Sequence, residues 1–133
     1  MFIERLLNQG NAPLLEQTLK FTAARHRLIA ENVVNASTPG YQQKDLSLEK
    51  FQQQLRDRVE ERKHAGPGGM KIGDIEKPIE NPDRNILFHD RNNRSIETLM
   101  SDWQQNGMAH NLFTELLRKQ FTSIQDALKE RVT

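Results

Sequence analysis

Histidine is the residue type in this chain best suited to catalysis or metal binding, and it occurs as His26, His64, His89 and His110. No two of them have the spacing of ligands on one helix, and no HExxH motif occurs. His26 and His110 each fall on a predicted helical seam, so two packed helices could bring them together. We interpret the pair as core-edge histidines with hydrogen-bond partners. A small hydrolase built on them is the alternative that their placement leaves open.

Other patterns that carry chemistry in proteins are missing or incomplete. The run Gly66-Pro67-Gly68-Gly69 is rich in glycine, but it lacks the GxxxxGK[ST] pattern of a phosphate-binding loop, and no GxSxG motif occurs. The chain has no cysteine, which excludes a thiol nucleophile, a disulfide and a zinc–thiolate site. We therefore expect no enzymatic activity, no cofactor, no metal and no small-molecule substrate.

Charge and hydropathy narrow the class of protein further. The 133 residues include 19 basic and 18 acidic ones, a balance that argues against nucleic acid as the main ligand. No apolar run is long enough to span a bilayer, and the N-terminus lacks the apolar stretch of a cleaved signal peptide. Hydrophobic residues make up 35% of the chain. We expect a single domain over residues 1–133 with a thin core, so the chain is either an elongated helical object or has part of its apolar surface covered by a partner.

Helical periodicity is strongest near the two ends of the chain and predicts helices over 13–36 and 95–131. The seam of the first helix, with apolar positions spaced by three and four residues, includes Leu15, Leu19, Ile29 and Val33. The seam of the second includes Trp103, Phe113, Leu117 and Ile124. Phe21 and Leu28 are expected to widen the first stripe, Ser95 to cap the second helix, and Gly107 to weaken it. The length of the second helix suits an extended hairpin or a coiled coil.

The middle of the chain has weaker patterns. We predict a turn and extended segment over 37–46, a shorter helix over 47–63, and a flexible loop over 64–94 that is rich in glycine and proline. Within that loop, 70–72 and 86–88 are apolar and could pair as a small β ribbon. The predicted fold class is therefore all-α (mainly α), with at most a small ribbon.

One cluster contains more than a helix stop requires. Pro39 and Gly40 suit the centre of a type II turn and are enough to end the first helix. The same stretch also has Asn32 and Asn35, whose amides reach the last helical turns, and Tyr41, whose ring and hydroxyl can anchor a contact. We infer that the cluster has a role beyond ending the first helix.

This cluster resembles the N-terminal signature of the bacterial flagellar rod and hook proteins, N-[IV]-A-N-A-x-T-P-G-Y, and reads NVVNASTPGY here. The matching residues are Asn32, Asn35, Ala36, Thr38, Pro39, Gly40 and Tyr41. Within that family the match is best to the proximal-rod proteins, through Arg25-His26, the segment 45–49 and the segment 115–121. Val34 stands where alanine is usual, His110 stands where a tyrosine is expected, and Gly107 is unusual.

The resemblance implies a structural subunit of the flagellar basal-body rod. Such a protein assembles with itself and with other flagellar rod proteins in the periplasm. It also contacts the flagellar export gate or a rod-base adaptor. It leaves the cytoplasm by type III export without a cleaved signal. The resemblance also implies that the two terminal helices pack as an antiparallel coiled-coil hairpin, whose seams support assembly. A soluble helical adaptor or chaperone that binds one protein partner is the alternative.

Overall fold

The computed structural model describes residues 10–66, 72–77, 79–80 and 96–130. Its elements, in chain order, are α1 (Ala12–Val34), β1 (Asp45–Leu46), α2 (Leu48–His64), β2 (Ile79–Glu80) and α3 (Ile96–Glu130). The predicted fold class is confirmed, with two long helices, a shorter middle helix and a two-stranded sheet. In these described ranges, no helix combines the length and apolar character needed to cross a membrane.

Helix α1 begins with a proline in its first turn, where the missing backbone N–H costs nothing. It ends at Val34, two residues before the predicted end at residue 36. The backbone N–H of Asn35 still reaches the Glu31 carbonyl at 3.0 Å, but that of Ala36 bonds to Val33 at 3.3 Å. This shift to an i to i−3 bond tightens the last turn and closes the helix.

Helix α2 has favourable residues at both of its ends. The Ser47 hydroxyl accepts the backbone N–H of Lys50 at 3.3 Å, which satisfies one of the free donors of the first turn. Glu49 lies in the first turn, and Arg62, Lys63 and His64 lie in the last. Acidic residues at the N-terminus and basic ones at the C-terminus interact favourably with the helix dipole.

Helices α1 and α3 are antiparallel neighbours. Thr22 of α1 hydrogen-bonds to His110. His26, one turn further along α1, packs at a tilt against Trp103, which lies earlier in α3. The order of the contacts therefore reverses between the two helices. Helix α3 continues without a break through Gly107, and the predicted cap at Ser95 lies outside the described residues.

The buried core lies on a second face of α1, directed toward α2 and the small sheet. It consists of Phe21, Leu46, Phe51 and Ile75, and the rings of Phe21 and Phe51 stack with their centroids 4.2 Å apart. Leu28 packs against this cluster. Phe21 and Leu28 therefore do not widen the seam that faces α3, as their sequence positions predicted, but build a separate core.

The sheet forms at a different place from the predicted ribbon. Strand β1 pairs with β2 in antiparallel register, with Asp45 opposite Glu80 and Leu46 opposite Ile79. Of the segments predicted to pair, Ile72 is described and is not in a strand, while 70–71 and 86–88 lie outside the described residues. The observed pair forms because Leu46 is buried in the core and draws β1 onto it.

Candidate functional site

The chain leaves α1 through a tight turn over Thr38–Tyr41. The backbone N–H of Tyr41 donates to the Thr38 carbonyl at 3.2 Å, which closes a four-residue β-turn. Gly40 has a φ of +75° at the third position of the turn. Proline at the second position and a positive φ at the third are the properties of a type II turn. The third position therefore favours glycine, because an L side chain is strained at that φ.

Asn32 connects the end of α1 to the returning chain. This residue is 3% exposed. The amide Nδ2 donates to the Lys44 carbonyl at 2.6 Å, and Oδ1 accepts the Lys44 backbone N–H at 3.0 Å. Oδ1 also accepts the Tyr41 hydroxyl at 2.9 Å. Burial of its ring and the nearby Glu31 carboxylate raise the pKa of Tyr41, so the hydroxyl remains a donor at neutral pH.

Asn35 acts locally, within the turn. Its Nδ2 donates to the Glu31 carbonyl at 2.9 Å, which satisfies a carbonyl of the last helical turn. Its Oδ1 accepts the Thr38 hydroxyl at 3.3 Å, and its carbonyl accepts the Thr38 backbone N–H at 2.9 Å. Ala36 is buried between these bonds. The two asparagines of the motif thus have separate roles, since Asn35 shapes the turn and Asn32 fixes the segment that leaves it.

Two further polar residues of α1 hold the returning chain, and sequence reasoning missed both in this role. Arg25 donates two hydrogen bonds to the Asp45 carboxylate, at 2.8 and 2.9 Å. This bidentate contact with Asp45 raises the pKa of Arg25. Gln17 is buried; its Nε2 donates to Asp74 at 3.3 Å and its Oε1 accepts the Ile75 backbone N–H at 3.1 Å.

The polar residues that hold the returning chain lie on the same face of α1 as the apolar core residues. Positions that follow one another by three or four residues share a helix face, and these positions are Gln17, Phe21, Arg25, Leu28 and Asn32. This spacing was visible in the sequence. The spacing alone did not predict the contacts, because polar residues beside an apolar stripe are usually solvated. The partners of Gln17, Arg25 and Asn32 are also distant in the sequence, by 12 to 58 residues.

The other face of α1 meets α3 through polar contacts at the middle of the seam. Asn106 is 3% exposed, and its Nδ2 donates to the Thr22 carbonyl at 2.9 Å and lies 3.5 Å from His26 Nδ1. The Thr22 hydroxyl lies 2.8 Å from His110 Nδ1. The ring centroids of His26 and Trp103 are 4.2 Å apart.

His26 and His110 therefore have hydrogen-bond partners across the seam, and both line one cleft of about 430 Å³ beside Gly107. Across the part of the chain that the structure describes, no group of three or more His, Cys, Asp or Glu side chains is placed to hold a metal. The contacts explain both histidines as members of a helix interface.

The predicted seam residues have unequal burial. Ile29 is fully buried, at 1% exposure, whereas Leu15, Leu19 and Val33 are partly buried. On α3, the residues Phe113, Leu117 and Ile124 are partly buried, and Trp103 is 37% exposed beside His26.

The outward side of α3 has an apolar stripe that the sequence seam does not include. Met108, Leu112 and Leu116 succeed one another every four residues and are 62%, 58% and 41% exposed. Residues spaced by four lie together on a helix surface, so the three side chains form one continuous patch. Single exposed apolar residues are common on proteins, but a continuous row of them is typical of an interface. We call Met108, Leu112 and Leu116 the outer stripe.

Comparison with known proteins gives one relationship to a protein of described role. The chain is 24% identical over 118 residues to the flagellar basal body rod protein FlgB of Aquifex aeolicus (strain VF5). The matched region covers 89% of this chain and 92% of that relative. No protein-family model matches the chain. Over most of its length, then, the chain is similar to a rod protein of the bacterial flagellar basal body.

Proposed function

We propose that the protein is a non-enzymatic structural subunit of the flagellar basal-body rod, of the proximal-rod class to which FlgB belongs. The observation that carries this proposal is the outer stripe of α3, an apolar surface that the fold of this chain leaves exposed. The similarity to FlgB along 89% of the chain supports the same role. So does the NVVNASTPGY segment, whose residues build the turn that ends α1.

Assembly follows from the placement of the two sides of α3. One side faces α1 through Thr22, His26 and Asn106, and the outer stripe lies on the other side. The outer stripe is therefore available to a neighbouring subunit while the hairpin stays intact. Contacts between different surfaces of identical subunits generate a helical array such as a rod when the rotation between subunits does not close into a ring.

The partners and the location are part of the proposal. The subunit packs with its own copies and with other flagellar rod proteins, and contacts the export gate or a rod-base adaptor. It reaches the periplasm by type III export without a cleaved signal peptide. In this proposal the subunit has no catalytic task, and His26 and His110 act as residues of the interface between α1 and α3.

The decisive experiment is purification of basal bodies from cells in which the encoding gene is replaced by an epitope-tagged copy. We expect the tagged chain to be present in the purified basal bodies, and an antibody against the tag to be located at the rod by electron microscopy. We expect the deletion strain to lack complete rods and to be non-motile. A chain that stays in the cytosol, in a complex with one partner, would instead identify the adaptor or chaperone.

A matched variant tests the outer stripe itself. Leu112→Asp places a charge on the exposed stripe, so it should leave the helical content unchanged and remove the chain from basal bodies. Gln125→Asp, at an exposed position of the same helix away from the side that holds the stripe, is the control and should assemble. Normal incorporation of Leu112→Asp would show that the stripe is not an assembly surface.

A further inference from the structure

The middle of the α1–α3 seam is polar, although its two ends are apolar. Thr22 and His26 of α1 meet Asn106 and His110 of α3, and we call these four residues the polar layer. Asn106 is the most deeply placed residue of α3 in this layer, at 3% exposure, and its amide contacts both Thr22 and His26. A buried amide with two partners depends strongly on the position of the opposite helix.

The apolar part of the seam does not distinguish one alignment from another. Its positions are spaced by three and four residues, so the pattern repeats every seven. A slip of α3 by seven residues therefore places apolar side chains opposite apolar side chains again. The same slip moves Asn106 away from Thr22 and His26. It would then face the pair Leu15 and Leu19 or the pair Ile29 and Val33, depending on its direction.

After either slip the amide can still reach a backbone carbonyl in place of that of Thr22, but neither pair offers a side-chain partner in place of His26, and His110 loses the Thr22 hydroxyl. A buried polar group that loses its partners destabilises the arrangement, so the polar layer penalises both slipped alignments. The connection between the helices, from residue 35 to residue 95, is much longer than the loop of a short helical hairpin. In short helical hairpins a loop of a few residues fixes the alignment.

We infer that Asn106 sets the register of α3 against α1. The polar layer lowers the stability of the seam, because it replaces apolar side chains at its centre. It also restricts the two helices to a single alignment, as one buried asparagine does in coiled coils. The inference concerns the isolated chain and is independent of the role in the rod.

The test measures the distance between two spin labels, one on each helix. The chain has no cysteine, so Arg27→Cys and Ser123→Cys, both at exposed positions, introduce the only two labelling sites. A slip of seven residues displaces α3 by about 10 Å. Pulsed electron resonance on labelled protein diluted with unlabelled protein should give one distance when Asn106 is present. With Asn106→Leu we expect a second distance, changed by up to about 10 Å.

Two further variants make the result decisive. Asn111→Leu makes the same chemical change at an exposed position of α3 and should keep the single distance. Asn106→Ala removes the amide without adding bulk to the seam and should also produce the second distance. One unchanged distance in both Asn106 variants would overturn the inference. The inference would also be overturned if the circular dichroism spectrum showed that Asn106→Leu is unfolded. The amide would then be needed for stability and not for alignment.

Discussion

The side-chain amide of Asn32 pairs with the backbone of Lys44 as a neighbouring strand would. Nδ2 donates to the Lys44 carbonyl at 2.6 Å, and Oδ1 accepts the Lys44 backbone N–H at 3.0 Å. The two residues are separated by the whole turn at Pro39 and Gly40. The amide thus covers the free backbone edge just before β1, and the end of α1 determines where the sheet begins.

Replacing Asn32 by alanine should destabilise the protein by about 2–3 kcal/mol, because three hydrogen bonds are lost at a buried position. Urea unfolding followed by circular dichroism measures this change in the free energy of unfolding. Asn35→Ala is the matched control, since its amide bonds only to its own turn and to the end of its own helix. We expect that variant to lose less than about 1 kcal/mol. Equal losses in the two variants would refute the separate roles of the asparagines.

The double variant Pro39→Ala, Gly40→Ala should impair rod assembly more than it reduces helical content. Alanine at residue 40 must adopt the φ of +75° seen for glycine, at a cost of about 1–2 kcal/mol. The helices lie outside the turn, so the far-ultraviolet circular dichroism spectrum should change little. Incorporation into basal bodies measures the effect on assembly. Normal rods from this variant would mean that the turn has no role in assembly.

Leu117→Asp should prevent incorporation by a different route from Leu112→Asp. Leu117 is partly buried on the seam side of α3, so an aspartate there places an unpaired charge in the seam and costs several kcal/mol. We expect a lower midpoint of thermal unfolding in the purified variant as well as loss from the rod. If Leu117→Asp kept the native midpoint and assembled normally, the seam packing proposed for Leu117 would be wrong.

The long helices were predictable because their apolar residues repeat over many turns. In the structure they are α1 over Ala12–Val34 and α3 over Ile96–Glu130. The turn was predictable because Pro39 has a fixed φ and Gly40 tolerates the positive φ that the third position requires.

The contacts that hold the chain onto α1 were not predictable in the same way. The ion pair of Arg25 with Asp45 and the bonds of Gln17 to Asp74 and Ile75 join residues that are distant in sequence. Nothing in the residue types distinguishes these polar side chains from solvated ones. The separation of Phe21 from the α3 seam depends on where α2 packs, which periodicity within α1 does not encode.

Gly107→Ala should stabilise the protein by about 0.5–1 kcal/mol, because glycine within a helix has more conformational freedom to lose on folding than alanine. Gly107 has a helical backbone, and a Cβ built on it meets no other atom within 4 Å. The new methyl group would enter the cleft beside His26 and His110 without displacing a neighbour. Thermal unfolding of the purified variant measures the change. A lower midpoint would show that the glycine has a role in the fold beyond filling a helical position.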